Sequence, residues 1–115
     1  MDASAALAEL VGLSTQVVEA VIVGADGAVE AAHAAGDERA QTLAEAGGSL
    51  LAAAAEIRPS APPVERVHVD LERGSLVVVR DARRSIVATT VAEPTAGLVA
   101  FDLRAALSRL REAAA

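Results

Sequence analysis

Apolar positions along the chain change their period several times, and each change marks an element. Leu7, Leu10 and Val11 share one face of a short helix from Ala3 to Leu10, with Asp2 or Ser4 as its N-cap and Gly12 as its end. The stretch from Val17 to Val23 is rich in branched residues, the composition of a strand. Ala25-Asp26-Gly27-Ala28 separates it from Val29–His33, and Asp-Gly between two apolar runs predicts a hairpin. Gly36-Asp37 marks the next boundary, with Asp37 placed to cap a helix. Ala40, Leu43, Ala44, Gly47, Leu50, Leu51, Ala54 and Ile57 then recur at helical spacing, which predicts a helix to Ile57 or Arg58. Gly47 and Gly48 each weaken it by about 1 kcal/mol relative to alanine. Gly47 falls on the apolar stripe, where a missing side chain either admits another backbone closely or is a tolerated weak spot.

Pro59 closes this helix, and Pro59 to Pro63 predicts a stiff linker. Beyond it the period becomes two. Val67, Val69 and Leu71 point one way, and Arg66, His68, Asp70 and Glu72 the other. Gly74 marks the turn into Leu76–Val79, and a polar turn from Asp81 to Arg84 leads to Ile86–Val91. Three strands with short connections predict an antiparallel meander. Pro94 and Thr95 open a last helix to about Glu112, its inward stripe Val99, Leu103, Ala106 and Leu110, broadened by Leu98 and Leu107. The order αββαβββα reads as one α+β domain over residues 1–115. It predicts a five-stranded antiparallel sheet with the long central helix on one face and the terminal helices on the other.

Composition narrows what this fold does. The hydrophobic share of 53% includes about a quarter of the chain as alanine, so the core rests on Val, Leu and Ile. With no cysteine, disulfides and thiolate metal sites are excluded, in keeping with a reducing compartment. No apolar run approaches the roughly 20 residues of a membrane helix, so no membrane insertion is expected. The Met1-Asp2-Ala3-Ser4 start lacks the basic and apolar segments of a signal peptide, and the reading is cytoplasmic. Net charge is −6, and Phe101 is the one aromatic residue. Such a chain has neither the positive footprint nor the stacking platforms that nucleic acid requires.

A phosphate-binding loop needs a glycine-rich turn followed by Lys, and the chain has no lysine; Gly24-Ala25-Asp26-Gly27 reads as the hairpin instead. His33 and His68 stand apart, with no second ligand at metal spacing, so each reads as a structural histidine. Thr89-Thr90 and Ser14-Thr15 have no identifiable base for nucleophilic chemistry. Neither a cofactor nor enzymatic activity is expected. Arg80, Arg83 and Arg84 cluster at a turn; they either offer charge to a partner's phosphate or form a solvated turn partly neutralised by Asp81.

The element order resembles the Roadblock/dynein-light-chain family, in particular its stand-alone bacterial members. Val21-Ile22-Val23-Gly24-Ala25-Asp26-Gly27 is similar to that family's first strand and Asp-Gly turn, and Leu43 to Ile57 to its central helix. Val64 to Val78 is similar to its third and fourth strands, and Glu93-Pro94-Thr95-Ala96-Gly97-Leu98-Val99 to the approach to its last helix. The resemblance implies a homodimer in which central helices pair and third strands join edge to edge. Leu43, Gly47, Leu50, Arg66, His68 and Asp70 are then the interface candidates. It further implies a regulator or scaffold of a small Ras-like GTPase, with Arg39, Gln41, Thr42, Glu45 and Ser49 facing that partner. Activation in such proteins works by repositioning the GTPase, which argues against arginine donation from the Arg80 cluster. A ligand-sensing domain of related architecture, with a small-molecule pocket between sheet and helices, is the alternative.

Overall fold

Asp2 accepts a hydrogen bond from the Ala5 amide at 2.8 Å and so starts the first helix with the expected cap. The computed structural model describes residues 1–59 and 64–114, the side chain of Ala114 excepted. Residues 60–63, most of the expected Pro59–Pro63 linker, lie outside the described residues. The elements are α1 (Ala3–Leu13), β1 (Val17–Gly24), β2 (Val29–His33), α2 (Asp37–Ile57), β3 (Arg66–Leu71), β4 (Gly74–Arg80), β5 (Arg84–Thr90) and α3 (Ala96–Ala114). Helix α1 runs one residue past Gly12, so that glycine does not end it. Gly36, not Asp37, is the N-cap of α2 and supplies no side-chain bond, while Asp37 sits in the first turn where a carboxylate favours the helix dipole.

The five strands form one antiparallel sheet in the order β2-β1-β5-β4-β3. The Asp-Gly turn is present: Gly27 adopts φ +86°, and the Asp26 carboxylate accepts from the Ala28 amide at 3.0 Å. Gly74, at φ +111°, begins β4, and a methyl group there would collide with the Thr90 carbonyl.

Each face of the sheet carries its own core. Helices α1 and α3 cover one face, where Leu7, Leu10, Leu103 and Leu110 close over Ile22, Val77 and Ile86. Helix α2 covers the other, where Leu43, Ala44 and Leu51 pack on Val21, Val78 and Val87. The expected distribution of helices is therefore the observed one. Gly47 is a close-approach position: a Cβ there would overlap the Val87 side chain on β5.

Three expected inward positions are exposed. Leu98 is 50% exposed because it lies five residues before Leu103, about 140° around the helix. Ile57 is 79% exposed. It is on the apolar stripe, but α2 at about 31 Å outruns a seven-residue strand of about 24 Å and overhangs the sheet. Leu71, 52% exposed, is the last residue of β3.

Candidate functional site

Helix α2 begins over β1 and is tied there by a polar network. Arg39 holds Glu19 through two hydrogen bonds, Nε to Oε2 at 2.8 Å and Nη2 to Oε1 at 2.9 Å, and Thr89 donates to the same carboxylate at 2.9 Å. The Arg39 guanidinium holds the Glu19 carboxyl below its ordinary range against the opposing effect of partial burial, with Thr89 assisting. Glu19 raises Arg39 in return. From this anchor α2 passes over β5, where Gly47 meets Val87, toward the β3 side of the sheet.

A partly uncovered apolar strip results. Leu50 on α2, Val64 ahead of β3, and Val67 and Val69 on β3 pack against the α2-side core without being closed off by it. Leu71, on the same face of β3 by strand alternation, and Ile57, the last residue of α2, are exposed. Beside the strip runs β3, an edge strand of this sheet. A long edge flanked by half-buried branched residues is a ready template for pairing with another chain.

The six expected interface residues divide on this geometry. Leu50 borders the strip. Leu43, 4% exposed, and Gly47 face the chain's own sheet and are closed off by it, so neither is free to contact a partner. Helical spacing shows that they share a face, and that face is turned inward. Arg66, His68 and Asp70 lie on the other side of β3, exposed. His68 Nε2 is 3.0 Å from Asp70 Oδ1, and Ser75 donates to the same oxygen at 3.1 Å.

The five expected partner-facing positions, Arg39, Gln41, Thr42, Glu45 and Ser49, are all exposed. Arg39 is held by Glu19, Gln41 donates to Glu45 at 3.2 Å, and Thr42 donates back to the Glu38 carbonyl at 3.1 Å. The sequence reading missed Val67 and Val69 as surface-lining residues and the Glu19–Arg39 anchor. An acidic residue in the otherwise apolar run from Val17 to Val23 was the available signal for the anchor, since a half-buried carboxylate needs a cationic partner. Among the described residues no group of His, Asp and Glu is arranged to hold a metal, and no helix is long and apolar enough to cross a membrane.

This arrangement of helices and strands recurs in solved structures. A Roadblock/LC7 domain from Streptomyces avermitilis superposes with a TM-score of 0.85 over 97% of each chain, at 19% sequence identity. The chain has the Roadblock/LC7 fold. Within that fold, Myxococcus xanthus MglB is similar at a TM-score of 0.77 and 16% identity, over 96% of this chain and 94% of that one. The gliding protein MglB from Thermus thermophilus is similar at 0.73 and 18% identity, over 89% and 80%. No family model and no curated protein matches the sequence, so the Roadblock likeness rests on backbone architecture.

Proposed function

We propose that this chain is a non-catalytic interaction module, a homodimer that regulates or scaffolds a small Ras-like GTPase in the cytoplasm. The observation that carries the reading is the uncovered strip of Leu50, Val64, Val67 and Val69 alongside the β3 edge. A second copy placed on it by a two-fold axis would pair β3 with β3 and cover the same residues on both sides. The outward residues of α2, Gln41, Thr42, Glu45 and Ser49, would then lie on one platform of paired helices and meet the GTPase. Structural likeness to the MglB proteins supports this choice of partner class.

The test is a pull-down from native lysate with this protein as bait, supplied with GDP or with a non-hydrolysable GTP analogue. Enrichment of a small GTPase in the analogue sample is the expected result. A lysate that yields no GTPase under either nucleotide contradicts the proposal.

A further inference from the structure

A second surface lies at the end of the sheet where β4 turns into β5. A cleft of about 560 Å³ opens there, lined by Arg80 on β4, Ala82 in the turn, Val64 ahead of β3, and Arg104, Ser108 and Arg111 on α3. The three α3 residues follow i, i+4, i+7 spacing and so share one face of the helix. On the other side of the same turn, Arg83 and Arg84 line a smaller cleft of about 310 Å³. Five of the ten arginines thus gather around one turn of a chain whose net charge is −6.

The carboxylates nearby neutralise only part of this cluster: Glu65 also lines the cleft, and it forms no ion pair among the described residues. Asp81 Oδ1 accepts from the amides of Arg83 and Arg84 at 2.8 and 2.9 Å and thereby shapes the turn. Its other oxygen is 4.0 Å from Arg111. Glu30 is taken by Arg84 at 3.1 Å. Arg80 donates through Nε to the Val64 carbonyl at 2.7 Å, which fixes the side chain and leaves its terminal nitrogens for another acceptor. Among the described residues, Arg80, Arg83 and Arg104 form no ion pair.

We propose that this cleft binds a short acidic peptide segment of a partner protein in extended form. Arg104 and Arg111 start from points about 10 Å apart along α3, a span longer than one phosphate group. An extended peptide places alternate side chains about 7 Å apart, so successive carboxylates can each meet one guanidinium in a two-pronged, charge-assisted pair. Val64 and Ala82 offer apolar surface to the intervening small side chains. This surface is built on β4, the turn and α3, and it shares only Val64 with the β3 strip.

The test is fluorescence anisotropy with a labelled peptide alternating Glu and Ala, run on the full chain. Binding that weakens steeply with salt is expected. Combining Arg104→Glu with Arg111→Glu is expected to weaken it at least about tenfold, and Arg104→Gln alone by a few-fold. Arg58→Glu with Arg73→Glu, the same charge change at the end of α2 and in the turn after β3, is expected to leave it within about twofold. Circular dichroism confirms that each variant is folded. No binding by the unmodified chain overturns the proposal, as does equal weakening in both double variants, which would mark a general charge effect. Displacement of the peptide by tripolyphosphate at equal concentration also overturns it, making the cleft a small-anion site.

Discussion

On the face under α1 and α3, Leu10, Ile86, Val99, Leu103 and Ala106 are fully enclosed, and large side chains come from both helices. On the face under α2, one helix covers the sheet with Leu43 and Leu51 set among the small Ala40, Ala44 and Gly47, and Leu50, Val64, Val67 and Val69 keep part of their surface in water. The same five strands therefore bear one completed core and one that stops short of the β3 edge. Small residues on α2 bring the helix down onto β5, and Val67 and Val69 on β3 are only partly covered by it. The first face holds the chain's own stability, and the second is the one through which the proposed association would run.

Damage to the completed face should cost the most stability. Leu103→Ala should lower stability by about 3 kcal/mol through lost transfer energy and the cavity left behind, read from urea unfolding. A loss below about 1 kcal/mol would mean that this face is not the closed core described here.

Two adjacent glycines sharpen the contrast between the two faces. Gly47→Ala should destabilise by about 1–2 kcal/mol, because its methyl overlaps the buried Val87 side chain and outweighs the gain in helix propensity. Gly48 faces open space, and Gly48→Ala should raise stability by about 0.5–1 kcal/mol. Thermal melts of both variants test the sign; a shared sign would contradict the packing of α2 on β5.

These glycines also mark how far the sequence could be read. The element order was legible because Asp-Gly, Pro59 and Pro94 punctuate it and because the period changes from 3.6 to two after Pro59. A helical wheel names the residues that share a face; it does not say what covers that face. Leu43 and Gly47 were thus expected at a partner and are covered by the chain's own sheet. The half-covered state of Val67 and Val69 depends on the path of α2 across the strands, which no local pattern encodes. The arginine cleft was half visible: Arg80, Arg83 and Arg84 stood out as a cluster, but Arg104 and Arg111 join it only when α3 folds back along β4.

The smallest expected effect lies at the anchor of α2. Arg39 holds the Glu19 carboxyl below its ordinary range, so the stabilisation is present above the unfolded-state pKa and is lost as pH falls through the lower folded value. Glu19→Gln should therefore cost under about 1 kcal/mol near pH 7, since Arg39 is half exposed and screened by solvent. The gap between the two proteins should close below about pH 4.5, read from unfolding curves across pH. A gap that stays constant with pH would show that the carboxylate charge is not what holds Arg39.

The proposed association runs through the uncovered face, to which Val69 on β3 belongs. Sedimentation velocity of the unmodified chain and of Val69→Asp, over a range of micromolar concentrations, tests it directly. A species of twice the chain mass for the unmodified protein, shifted to the monomer by Val69→Asp with the circular dichroism spectrum unchanged, is the predicted result. A monomer in both samples, or a dimer that Val69→Asp leaves intact, would contradict it.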